Sequence, residues 1–384
     1  MHAEIIDDAA ALEPLRPTWD GLAAAAGLPM ATSAWALGWW RHMRPERSLL
    51  RVVVVRAGAE VVAIAPYFVQ DTAAARIDYR LLGSGFATPL SPLACPAVAW
   101  QAAAALAGAL ATARPAPDMV TFEGLPLSSP WPAMVRERWP GLLRPTAFRP
   151  WILSAPTVSL EHCSFAAWFA TRSANFRSQM RRGTRDLERA GGQVRASTPA
   201  SLGDDLEALF RLHAGRWEGR GRSALVPAAD ALRGLFADLG REQVACGRLR
   251  LQVVEVEGAP ISVQLFANDG DAIVYWNGGW DERYAKLRPA MLGILAEVEA
   301  GIADAARVLS LGGGAQGYKL RFADGSEPLE WGHLLVPRAR AAAIGARMIP
   351  ASTFTVARRL AQRGLTDEQR ERLRALRRRL RRTA

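Results

Sequence analysis

Two stretches of this chain gather side chains able to move protons and hold anions. One runs Tyr275-Trp-Asn-Gly-Gly-Trp-Asp281 into Tyr284-Ala-Lys-Leu-Arg-Pro289, and the other is Gly312-Gly-Gly-Ala-Gln-Gly-Tyr-Lys319. Of the 48 basic residues only two are lysine, Lys286 and Lys319, and each stretch holds one. A chain so rich in arginine, alanine and glycine points to GC pressure. Under such pressure a surviving lysine suggests a need for a compact, rotatable ammonium, which a planar guanidinium does not copy. Tyr318 can give a proton to a leaving thiolate or oxygen, and Lys319 can neutralise an oxyanion or a phosphate. The glycines before them let the backbone approach a ligand closely. Asp281 is the carboxylate best placed to orient or deprotonate an amine. Lys286 and Arg288 precede a helix opened by Pro289, where free N–H groups and the helix dipole favour an anion.

Other residues read as binding groups. Trp276 and Trp280 flank the first stretch and can stack on a sugar or an adenine, and Arg216 can meet a substrate anion. Gln264 points either into a cleft or away from it, and strand alternation does not decide which. Arg181 belongs with Arg177, Arg182 and Arg185 to a stripe suited to a polyanionic acceptor, although solvated helix faces look the same. His213, four residues before Trp217, reads as a core-edge residue. Trp35, Trp39 and Trp40 fall at helical spacing and read as core.

The elements that must position these groups come in two sets. Residues 50–68 and 249–266 each read as a strand, a tight turn with glycine (Gly58, Gly258) and a second strand. In each half a third strand follows (Ile77 to Gly83, Ala272 to Gly279). Next comes a helix (Pro96 to Ala113, Pro289 to Ala303) and then a closing strand (Asp118 to Gly124, Arg307 to Gly312). The pattern predicts two similar α/β units. Between them an arginine-rich helical segment, 164–191, ends at Gly191-Gly192. A strand, Gln193 to Ala196, and a helix, Leu202 to Trp217, come next.

The 384 residues are too many for one small core and predict two domains plus an extension. The net charge of +11 favours phosphate-bearing partners such as RNA, anionic lipid, nucleotide-activated sugars or coenzyme A. Cys95, Cys163 and Cys246 lie far apart, without metal-ligand spacing, and read as buried or free thiols. No signal sequence or bilayer-spanning run is visible, so a cytoplasmic protein is expected. After Pro337, Thr366-Asp-Glu-Gln369 resembles a capping box opening a basic helix with Leu373, Leu376 and Leu380 on one stripe. That tail can dock on the body or lie on an anionic membrane surface.

The stretch from Ala166 to Val336 resembles the GNAT-like acyltransferase domain of the CelD/FemAB-related proteins, some associated with polysaccharide biosynthesis. The matching pieces, in order, are Asn175-Phe-Arg-Ser-Gln-Met-Arg-Arg182, Leu187-Glu-Arg-Ala-Gly191, Leu212-His-Ala-Gly-Arg-Trp217, Pro260-Ile-Ser-Val-Gln264, Tyr275 to Asp281, Pro289, and Gly314 to Lys319. Arg288-Pro-Ala290 stands where the family often has Ser-Pro-Gly, and Ala315-Gln316-Gly317 stands where acidic residues are common. The resemblance implies an α/β (α+β) fold of tandem GNAT-like domains, with mixed central sheets flanked by helices. Residues 1–155 would form a degenerate first domain, 156–338 the acyltransferase domain and 339–384 a basic helical tail. It implies an acyl-CoA donor without a metal. The strand Ile273 to Trp276 would pair with the donor's pantetheine amides, with Tyr275, Lys286, Arg288 and Pro289 as donor contacts. The acceptor would be an amine, including one on a sugar nucleotide or a polysaccharide precursor. Two alternatives stay open: a Fem-like transferase using aminoacyl-tRNA, and a non-catalytic accessory protein that keeps the fold.

Overall fold

The computed structural model describes residues 1–72, 76–217, 223–338 and 343–345. The expected helix at 366–380 therefore lies outside the described residues. The chain opens with β1 (His2–Ile6), α1 (Arg16–Ala25) and α2 (Ser33–Met43). The hairpin of β2 (Leu49–Ala57) and β3 (Glu60–Thr72) follows, then β4 (Arg76–Leu81) and the short β5 (Leu93–Ala94). Next are α3 (Ala99–Thr112), β6 (Met119–Pro126), α4 (Trp131–Glu137) and β7 (Thr146–Leu153). The second set starts with β8 (Pro156–Ser159), α5 (Phe165–Thr171), α6 (Ala174–Arg189), β9 (Gly192–Ala196), α7 (Leu202–Trp217) and α8 (Ala229–Ala245). The hairpin of β10 (Leu249–Val256) and β11 (Ala259–Asp269) leads to β12 (Ala272–Trp280) and α9 (Pro289–Ala303). β13 (Val308–Ser310), α10 (Gly317–Leu320), β14 (Gly325–Ser326) and β15 (Leu329–Leu335) close the described chain.

The β-branched runs behave as their composition dictates. Val52 to Val55 and Val253 to Val254 are buried, and the second hairpin turns on Glu257 and Gly258, both with positive φ (51° and 76°). Such a turn matches the right-handed twist of its strands. The 164–191 segment is two helices rather than one. Ser164 Oγ accepts from Ala167 N at 3.1 Å and Ser173 Oγ from Phe176 N at 3.2 Å, so each hydroxyl caps its own start.

The duplication is real at the level of topology, and the two copies exchange strands. The first sheet runs β1-β2-β3-β4-β6-β15-β7, with β5 on β3, and the second β14-β8-β13-β12-β11-β10-β9. β15, from the end of the second stretch of chain, lies antiparallel between β6 and β7 of the first sheet. β8, following directly on the first stretch, pairs with β13 of the second sheet. A division at residue 155 thus puts β8 with the sheet it joins but leaves β15 on the wrong side, because it follows sequence order rather than hydrogen bonding.

A shared core lies between the units. Trp35, Trp39 and Trp40 are buried as their spacing predicts, and Trp35 and Phe236 pack on Trp276 with ring centroids 6.2 and 5.6 Å away. Cys95, Cys163 and Cys246 are free and exposed, so of the two expected alternatives they are free thiols and not buried ones. Among the described residues no helix is long and apolar enough to cross a membrane.

Candidate active site

The site grows from one irregularity in the second sheet. β12 and β13 run parallel, but their ladder holds only from Ala272↔Val308 to Val274↔Ser310. Among the described residues no strand pairs with β12 on that side from Tyr275 to Trp280. On its other side the register with β11 shifts between Leu265 and Phe266, leaving Trp276 as the extra residue of a bulge. Of the expected donor-pairing surface, Ile273 to Trp276, Ile273 and Val274 are already paired with β13, and only Tyr275 and Trp276 lie on the unpaired edge.

A cleft enclosing about 190 Å³ opens at this parting. Its wall includes Gln264, Tyr275 and Trp280 from the strands, Arg216 from the end of α7 and Tyr318 from α10. Ala285, Arg288, Pro289, Ala290 and Met291 add the turn before α9 and its first residues. At its floor Tyr275 Oη donates to Gln264 Oε1 at 2.7 Å, and Gln264 Nε2 donates to Ser262 Oγ at 2.9 Å. Gln264 is 1 % exposed and points into the cleft, which decides the question that alternation left open. Tyr275 and Tyr318 line the cleft together. Burial raises both phenols well above neutrality, while Arg216 pulls Tyr318 partly back. Both therefore stay protonated near neutral pH and can donate.

Gly278 and Gly279 have a steric reason here. A Cβ on Gly278 would collide with Gln264 Oε1 and sit 2.6 Å from Tyr275 Oη, and one on Gly279 would meet the α7 backbone at His213. The paired glycines let α7 and the Tyr275–Gln264 bond share the same space.

Lys319 is 5 % exposed and lies behind Tyr275, with Nζ 5.8 Å from the ring centroid. Its ammonium donates to Gly313 O at 3.2 Å and to Gly312 O at 3.4 Å. Desolvation lowers its pKa to about 8. Lys286 is exposed and does not line the cleft. The two loops converge, but the cation that the first sends into the cleft is Arg288. That residue adopts left-handed backbone (φ 55°, ψ 46°) immediately before Pro289.

Other expected residues fall elsewhere. Trp276 turns away from the cleft, and its Nε1 donates to Phe86 O at 2.7 Å in the shared core. Asp281 caps the turn at 282–287 by accepting from Arg283 N and pairs with the Arg283 guanidinium at 2.6 Å. That contact lowers its pKa, so it is a poor base. Arg181 is exposed on α6, 5.5 Å from the Phe169 ring centroid. His213 is buried between Gly278 O (3.2 Å) and Ser223 Oγ (2.7 Å), and burial lowers its pKa. Sequence reasoning missed Met291, Ala290 and Ser262. Ser262 was findable, because residues two apart on a strand share a face and Gln264 was already in view.

Residues 174–320, which supply every residue of this cleft, match the family described as acetyltransferase (GNAT) domain. The described fold as a whole is similar to FemX (TM-score 0.60, 11% identity, 88% of this chain and 98% of that one). It is also similar to a conserved protein of unknown function from Bacteroides thetaiotaomicron (0.55, 10%, 86% and 99%). A third likeness is the C-terminal domain of a putative lysylphosphatidylglycerol synthetase from Agrobacterium fabrum (0.52, 10%, 87% and 96%). At these identities the likeness is one of fold. No curated protein matches the sequence.

The residues present suit an acyl-CoA donor, which the GNAT fold generally implies. The unpaired edge of β12 offers backbone groups to an amide-bearing arm. Trp280, Pro289 and Met291 give apolar walls, and Arg288 beside the start of α9 gives a cation for a diphosphate.

Proposed function

We propose that the protein is an N-acyltransferase, moving an acyl group from acyl-CoA to an amine on an envelope-polysaccharide or sugar-nucleotide precursor. The supporting observation is that the phenols of Tyr275 and Tyr318 both line the cleft at the parting of β12 and β13, inside the segment that matches the GNAT family. Acyl-CoA, when bound, supplies an activated carbonyl. Tyr275 has its proton committed to Gln264, so Tyr318 is the hydroxyl free to protonate the departing sulfur. The phenolate left behind recovers a proton from the acylated nitrogen. Lys319 fixes the Gly312–Gly313 backbone and places positive charge beside the reacting centre. Arg288 and Lys286 bear on the donor's phosphates from inside the cleft and from its approach. Trp280, with the Arg216 guanidinium 5.6 Å from its ring centroid, offers the acceptor a stacking face and a cation. Asp281 acts by ordering the turn before Arg288, and Arg181 contributes to the basic approach.

The test is thermal unfolding with coenzyme A, followed by acetyl transfer from acetyl-CoA to amino sugars and their nucleotide derivatives. Coenzyme A is expected to raise Tm by linkage, and an amine to become acetylated. Absence of both effects, with salt-sensitive RNA binding instead, would replace this reading with the aminoacyl-tRNA one. Absence of all three would leave a non-catalytic binding protein.

A further inference from the structure

The first unit carries a feature that the transferase reading does not use. Between α4 and β7 the chain runs Trp139-Pro-Gly-Leu-Leu-Arg-Pro145, and its tip is apolar: Leu142 is 101 % and Leu143 69 % exposed. The tip is held rather than loose. Arg144 Nη1 donates to Trp139 O and, at 2.7 Å, to Gly141 O, while Arg136 Nε donates to Pro145 O at 3.1 Å. Trp139 is itself buried. A structured loop thus presents two adjacent leucines to water with no covering residue described.

The surroundings are basic. Arg136, Arg144 and Arg149 line an open cleft of about 350 Å³ beside the leucines. Arg138 lies 4.4 Å over the ring of Trp100, which is 38 % exposed. The nearby carboxylates are Glu137, exposed on the same segment, and Glu330, a buried residue paired with Arg149 at 3.2 Å. Apolar tips ringed by arginine and an amphipathic tryptophan are what an anionic bilayer surface accepts. The apolar groups enter below the headgroups while the cations meet the phosphates.

We propose that this corner of the first unit is a membrane-docking site. Leu142 and Leu143 insert into the bilayer surface, and the Arg136–Arg144–Arg149 cleft takes the phosphate of an anionic lipid.

The experiment is co-sedimentation of the full chain with vesicles of phosphatidylcholine, alone or with roughly a third phosphatidylglycerol. Binding to the mixed vesicles is expected, weakened by salt, and much less to phosphatidylcholine alone. The double variant Leu142→Ser/Leu143→Ser should bind at least about tenfold more weakly, with its Tm unchanged, since both side chains are exposed. Arg149→Gln gives an independent reading of the headgroup contact and should also weaken binding. The proposal is overturned if the wild type does not bind the mixed vesicles. It is also overturned if the leucine variant binds undiminished, which would assign binding to another basic surface such as the C-terminal tail. Complete release by soluble glycerol phosphate, with no effect of the leucine substitutions, would mean a soluble phosphate ligand and overturn it as well.

Discussion

The Tyr275 hydroxyl and the Gln264 side-chain oxygen, 2.7 Å apart, meet over a glycine that leaves them room. If Tyr318 is the proton donor beside that pair, Tyr318→Phe should lower kcat by about 100-fold or more with little change in KM. Tyr275→Phe should instead cost about 1–2 kcal/mol of stability, because it leaves the buried Gln264 oxygen without its donor. Gly278→Ala should disrupt both. Steady-state kinetics and thermal unfolding on the three variants separate these effects.

Lys319 is a buried cation bonded to carbonyls. Its pKa falls from 10.5 to about 8, so at neutral pH its charge weighs against the folded state. Lys319→Met should abolish acyl transfer yet raise stability by roughly 2 kcal/mol at pH 7, after the lost hydrogen bonds are set against the relieved desolvation. The unfolded lysine holds its proton to higher pH than the folded one. Wild-type stability therefore rises between about pH 8 and 10.5, and the variant's advantage should vanish across that window. An advantage that stays constant with pH would contradict this account.

Arg288 occupies left-handed backbone, which costs a non-glycine residue roughly 1–2 kcal/mol. Arg288→Gly should leave Tm equal or slightly higher while cutting the Tm rise induced by coenzyme A. Arg288→Ala, which keeps the strain and loses the cation, should leave Tm near that of the wild type and cut the induced rise as well. Thermal unfolding with and without coenzyme A checks the pair.

In the first unit Thr121 donates to Asp78 Oδ1 at 2.6 Å, and His333 Nδ1 lies 3.0 Å from the same hydroxyl. Burial raises Asp78 to about pKa 7 and lowers His333 to about 4. Asp78 is stabilising as the neutral acid, fully so below pH 3.8, and that contribution is lost as pH rises through 7. Asp78→Asn should match the wild type below pH 3.8 and exceed its Tm by a margin that grows as pH rises to 8. A Tm difference that stays constant from pH 3.5 to pH 8 would contradict the burial argument.

Because β15 fills the gap between β6 and β7, residues 1–155 expressed alone should leave two strand edges bare and aggregate. Co-expression with residues 156–338 should return a soluble complex, readable by size-exclusion chromatography.

Much of the fold was legible where periodicity is long. The helix at 202–217 and the one at 289–303 match their expected spans, and both hairpins sit where β-branched runs and glycine turns put them. The exchange of β8 and β15 was not legible, because pairing partners far apart in sequence leave no local pattern. Trp276 was misread for a related reason. A tryptophan beside a motif looks like a ligand platform, yet alternation along β12 turns it toward Trp35 and Phe236. Asp281 was misread because its partner, Arg283, is a local contact that sequence shows only as a neighbouring charge. Tyr318, Arg288 and Gln264 reached the cleft because strand ends and helix starts converge at one edge of the sheet.

The reciprocal splice of β8 and β15 also bears on heredity. Duplicated genes commonly drift by losing, replacing or reshuffling one copy, but here each copy is finished by a ribbon from its twin. Deleting either would leave the survivor with an open seam. Change in such a chain is confined to substitution inside an indivisible pair, because each half supplies a ribbon that the other half's sheet needs.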